Sequence, residues 1–153
     1  MTPPGAAMSG QTTGFPNGPF DGVVSEVWRG MSSDALAASR PWQSGLRLYR
    51  ERNFREAHRR LRAVWSATEA GSPERQMVAA VMQLANAALE GRLGRQDELR
   101  RLCDLAAAHL AHVPVARGFV LGLSVEWVQN EVAALHVEMQ DRKYNAYLDV
   151  GGV

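Results

Sequence analysis

The chain has 153 residues, 46% apolar and 22% charged, with a formal net charge of +1. This is the balance of one ordinary folded domain, long enough to bury a core without disulfide or metal staples. The near-neutral charge excludes a whole-molecule field for nucleic acid, the single cysteine, Cys103, excludes an internal disulfide, and no apolar run approaches the roughly 20 residues of a membrane span. No positive charge precedes Arg29, so a secretory leader is not expected. The lone cysteine points to a reducing, cytoplasmic setting.

Residues 1–22 are rich in Pro, Gly, Ser and Thr and read as a disordered arm. Residues 23–39 read as a loosely held helical lead-in: Val24, Val27, Trp28 and Met31 keep helical spacing, interrupted by Gly30 and two serines. A helical domain is expected over 40–140. Pro41 suits a first helical turn, and Trp42, Leu46 and Tyr49 carry that helix to about Glu51. Asn53 reads as the cap of the next helix, whose stripe is Phe54, Ala57, Leu61, Val64 and Trp65, with His58 inside it and Gly71 at its end.

Ser72-Pro73-Glu74 is a helix start with cap, first-turn proline and an acid at the positive dipole end. From Gln76 to Leu89 the chain is uncharged and alanine-rich, which suits a central helix touched on both sides. Its broad apolar face holds Met77, Val78, Val81, Met82, Leu84, Ala85, Ala88 and Leu89. Gly91 and Gly94 punctuate the chain before a helix carrying Leu99, Leu102, Cys103, Ala106 and Leu110, closed by Pro114. After a loop with Gly118 and Gly122, a last helix bears Val125, Val128, Val132, Leu135 and Met139. Residues 141–153 read as a flexible tail. The predicted fold is all-α, a single bundle or array of about five helices.

Pro41, Gly45, the Asn53-Phe54…Glu56-Ala57-His58 block, Leu61, Trp65 and Met82-Gln83-Leu84-Ala85 together resemble the domain of unknown function 309 family, small all-helical and mostly prokaryotic proteins. The resemblance spans about residues 41–135 and implies a helical fold; the family brings no established activity. Its members typically carry acids where this chain has Arg59 and Arg62, and a glutamine-glycine pair where it has Ala79-Ala80, so the polar centre here has changed charge. The hairpin from Trp42 through Tyr49, Asn53 and Ala57 is also similar to a tetratricopeptide unit. The spacing is about one residue short and no second copy follows.

Glu56, His58 and Gln83 form the candidate polar centre, with Trp65 as a packing marker. Glu56 and His58 stand two positions apart on a helix, directions that do not suit one shared metal; the family register would bring His58 to Gln83. The plainer reading is a buried imidazole satisfied by a core amide. Arg55, Arg59 and Arg62 lie at i, i+4 and i+7, a stripe that could receive a phosphate or carboxylate or simply be a solvated face with Glu51–Arg55 and Glu56–Arg60 pairs. The segment 40–62 carries eight arginines against Glu51 and Glu56, a local +6.

His109 and His112 suit a helix C-terminus better than a metal, and Cys103 sits at a core position. No catalytic triad, phosphate loop or zinc spacing occurs, so no catalytic residue, metal or cofactor is assigned. The leading expectation is a non-enzymatic helical domain acting by association with itself or a protein partner. The alternative is a small-anion or metal-dependent enzyme centred on Glu56, His58 and Gln83. Nucleic acid is an unfavoured partner, since no aromatic platform accompanies the basic hairpin, and no membrane association is expected.

Overall fold

The computed structural model of the protein describes residues 27–151, with side-chain surroundings through Arg142. The arm read over 1–22 and Val24 of the lead-in lie outside the described residues. Among those described, six helices and one short hairpin follow in the order α1 (Ser33–Ala38), α2 (Arg40–Arg50), α3 (Phe54–Ala67), α4 (Pro73–Arg92), α5 (Gln96–Ala111), β1 (Phe119–Val120), β2 (Leu123–Ser124) and α6 (Val125–Gly151). The fold is all-α.

The lead-in differs from its expected form. A turn at Arg29-Gly30, with Gly30 at φ +94°, interrupts the spacing of Val27, Trp28 and Met31. The helix begins only where Ser32 Oγ accepts from the Ala35 N–H. Ser39 then serves two helices at once. Its hydroxyl donates to the Leu36 carbonyl oxygen at 2.7 Å and accepts from the Trp42 N–H, closing α1 and capping α2.

The α2–α3 and α4–α5 connections use the same device. Arg52 N–H bonds the Tyr49 carbonyl oxygen and Asn53 N–H that of Leu48, the paired bonds that finish a helix with one left-handed residue. Gly94 and Arg95 repeat the pattern onto Gly91 and Glu90. Gly94 takes the left-handed position at φ +77°, where glycine is unstrained; in the first turn Arg52 holds it at φ +66°. Asn53 does precede α3, but its side chain makes no capping bond.

Helix α3 stops at Ala67, short of Gly71. The Thr68 hydroxyl donates to the Trp65 carbonyl oxygen, and Arg75 takes the carbonyl oxygens of Trp65 and Thr68 at 3.2 and 2.8 Å. Gly91 lies inside α4 rather than after it.

Helix α4 is central, packed against α3, α5, α6 and β1. Met77, Val78, Ala80, Val81, Leu84, Ala85 and Ala87 are fully buried, which is why an uncharged, alanine-rich sequence stands there. The loop expected around Gly122 is a hairpin pairing Phe119 with Ser124 and Val120 with Leu123. Its turn residues Leu121 and Gly122 both have positive φ, the twist a two-residue hairpin needs. The buried Leu121 offers its carbonyl oxygen to Trp42 Nε1 at 2.8 Å.

The last helix runs past 140 to Gly151, where a flexible tail was expected. No glycine or proline interrupts 141–150, so nothing stops propagation once the helix has started. No described helix is long and apolar enough to cross a membrane.

Candidate functional site

The residues singled out in the sequence divide between separate environments. Glu56 pairs with Arg59 and lies 3.5 Å from Arg60 Nε. The hydrogen bond from Arg59 holds its carboxyl below the usual range. His58 is half-buried, and its imidazole is pushed below the ordinary value by burial and then by Arg62. Glu56 does not figure among the charges acting on His58. Among the described residues no hydrogen bond or ion pair joins Glu56, His58 and Gln83 to one another; Gln83 is half-buried on α4.

Arg55, Arg59 and Arg62 are all exposed along α3. Glu51 approaches Arg47 at 3.9 Å instead of Arg55. Trp65 packs under the Arg75 guanidinium, 4.1 Å from the ring centroid.

His109 lies half-buried in the last turn of α5. Its Nδ1 lies 2.8 Å from Gln76 Oε1, and burial pushes its pKa down. Burial pushes the Cys103 thiol up to about 11, which removes it as a nucleophile near neutrality. Among the described residues no three His, Cys, Asp or Glu side chains converge on a metal-ligand arrangement.

The structure instead builds a cleft of about 350 Å³ where the α2–α3 and α4–α5 turns lie side by side and α6 crosses them. That volume lies within the range of small-ligand sites. Its aromatic wall is Tyr49, Phe54 and Trp127. The Tyr49 ring stands edge-on to both neighbours, with centroids 5.4 Å from Phe54 and 6.0 Å from Trp127. Tyr49 Oη donates to Glu131 Oε2 at 2.9 Å, and burial together with that carboxylate keeps the phenol protonated.

Arg50, Arg52, Arg92 and Arg142 surround this wall, with Glu131 and Glu138 on the α6 side. The arginines are placed by ring faces and backbone oxygens. Arg50 lies over Trp127 at 5.6 Å, and Arg52 and Arg92 lie over Phe54 at 5.7 and 4.6 Å. Arg92 Nη2 donates to the Arg52 carbonyl oxygen and Arg142 Nη1 to that of Gly91, both at 2.7 Å. Each of these bonds uses one of a guanidinium's five donors. None of the four is in an ion pair with a carboxylate among the described residues.

At the α5 edge of the cleft, the buried Gln96 Oε1 has no hydrogen-bond partner. A non-glycine residue at positive φ costs about 1–3 kcal/mol and tends to mark sites where geometry matters more than stability; Arg52 is one, at the rim.

Sequence reading missed this cleft. Tyr49 and Phe54 do lie in the core, as expected from their spacing, but the sequence placed Arg142 in a flexible tail and its anion stripe on Arg55, Arg59 and Arg62, and nothing in it set Arg50, Arg52 and Arg92 beside the two rings. The one local signal was an arginine at a helix end where glycine is the usual residue. No family model, no curated protein and no solved structure matches the chain.

Proposed function

We propose that the chain is a helical binding domain whose cleft takes a small organic anion, a carboxylate or phosphate on an aromatic or apolar body. The observation that carries this reading is the set of Arg50, Arg52, Arg92 and Arg142 around Tyr49, Phe54 and Trp127, with no carboxylate partner among the described residues. Guanidinium forks suit planar, bidentate anions, and a partly enclosed aromatic wall supplies the apolar contact. The reading needs no catalytic group. It moves the anion site from Arg55, Arg59 and Arg62, which project from the exposed face of α3, to the cleft.

Phenyl phosphate titrated against Trp127 fluorescence tests it. The expected result is saturable binding, tighter than that of phenol or inorganic phosphate alone, and weakened about tenfold in Arg92→Ala, the loss of one charged hydrogen bond. Equal binding of all three probes, or an unchanged affinity in a folded Arg92→Ala protein, would overturn the reading.

Association with a second copy or a protein partner is a second reading. It is favoured by Val115 and Phe119, exposed at 103% and 66% on the α5–α6 connection. Light scattering of the wild type and Phe119→Ser decides it: a dimer lost in the variant supports this reading, and a monomer at all concentrations removes its self-association form. The buried, unpaired Cys103 suits a reducing compartment, and the cytoplasm is the setting proposed.

A further inference from the structure

A second concave surface lies on the outer side of the α2–α3 hairpin, apart from the cleft except at Arg50. Arg40, Gln43, Ser44, Arg47 and Arg50 follow one another at helical spacing along α2 and, with Arg60 of α3, line a shallow depression of about 440 Å³. Four guanidinium groups line it, and among the described residues no carboxylate does.

Its floor is built by close helix packing. Gly45 lets α3 approach so nearly that an added Cβ would fall 2.8 Å from Leu61 Cδ2. That approach brings Arg60 Nη1 to Ser44 Oγ at 3.1 Å. With Glu56 Oε1 at 3.5 Å on its other side, the Arg60 side chain is held at only 21% exposure. A guanidinium fixed in this way loses little further freedom when an anion arrives.

Arg47, by contrast, is 67% exposed, and its Glu51 contact at 3.9 Å is of the kind that contributes little. Arg47 and Arg50 are like charges three residues apart on one helix and repel, and a polyvalent anion would relieve that repulsion. Among the described residues no aromatic side chain lines the depression, so they offer no platform on which the bases of a strand could stack.

We propose that this depression is a binding site for a compact, multiply charged phosphate, held by Arg47 and Arg40 above the fixed Arg60. The site stands independently of the organic-anion reading of the cleft, and Arg50, which the two surfaces share, is left unaltered in the test. Inorganic triphosphate is titrated calorimetrically at low salt into the full chain and into the folded variants Arg47→Gln and Arg62→Gln.

The expected result is saturable binding, weakened about tenfold by Arg47→Gln and unchanged by Arg62→Gln, an exposed arginine of α3 outside the depression. Equal weakening by Arg47→Gln and Arg62→Gln would reduce the effect to diffuse charge and overturn the site. Absence of saturable binding would overturn it too. A homopolymeric single-stranded oligonucleotide serves as the second arm: binding weaker than that of triphosphate supports the compact ligand, and tighter binding overturns it in favour of a nucleic acid backbone.

Discussion

His58 and His109 show how much a residue's surroundings add to its chemistry. Both imidazoles are held below the ordinary 6.5, in each case chiefly by burial, with Arg62 acting on the first and His112 on the second. The folded chain therefore binds these protons less readily than the unfolded chain. Their contribution to stability is complete above about pH 6.5 and is lost as pH falls through the folded values. The urea midpoint is expected to be lower at about pH 5 than at about pH 7. His58→Gln should flatten that dependence, and imidazole NMR titrations should place both transitions below the unfolded value. An unchanged midpoint across this window would contradict the assignment. The sequence shows His58 on an apolar stripe, but half-burial without a Gln83 bond depends on how α3 and α4 are set against each other.

Two glycines show how helix–helix approach sets the elements. At Gly45 an added Cβ would meet Leu61 Cδ2 at 2.8 Å and Cγ at 2.9 Å, against a side chain that is completely buried. At Gly91 it would meet only the far end of Leu99, at 2.7 Å, with Cγ at 4.0 Å. Gly45→Ala is therefore expected to lose about 1–3 kcal/mol through overpacking, offset in part by the roughly 1 kcal/mol of helix propensity that alanine adds. Gly91→Ala should be near neutral; chemical denaturation of the pair separates the two cases.

The α3–α4 connection depends on Arg75, which bonds Thr68 Oγ1 and the carbonyl oxygens of Thr68 and Trp65 while covering the Trp65 ring. Arg75→Ala should cost about 1.5–3 kcal/mol in equilibrium unfolding. Arg75→Lys should fail to restore it, since an ammonium cannot reproduce the planar fork. Neither Gly45's crowding nor Arg75's reach back to α3 is legible from local spacing, because both partners belong to another element.

On the scale of the whole molecule, Trp42 joins the first half of the chain to the last. It is completely buried, and its Nε1 donates to the Leu121 carbonyl oxygen 79 residues away. Leu121 itself sits at φ +53° in the hairpin turn, a strained position for a branched side chain. Trp42→Phe leaves that buried carbonyl without its donor and should cost about 1–3 kcal/mol. Loss of one cooperative transition, seen equally by circular dichroism and fluorescence, would show that the hairpin and α6 are held to the bundle through this contact; a single, lower midpoint would show a core shared by all elements.

What the sequence determined by itself was the all-α class, the central place of the alanine-rich helix and the starts of α2, α3 and α4. These follow from apolar periodicity, proline position and, for α4, the Ser72 cap, all of which act within a few residues. The end of α3 and the hairpin at Leu121 were decided by tertiary structure: Arg75 and Trp42 act on them from other elements. The cleft belongs to the same class. Arg50, Arg52, Arg92 and Arg142 are scattered across the sequence, and only the packing of two helix turns beneath α6 sets them around one aromatic wall.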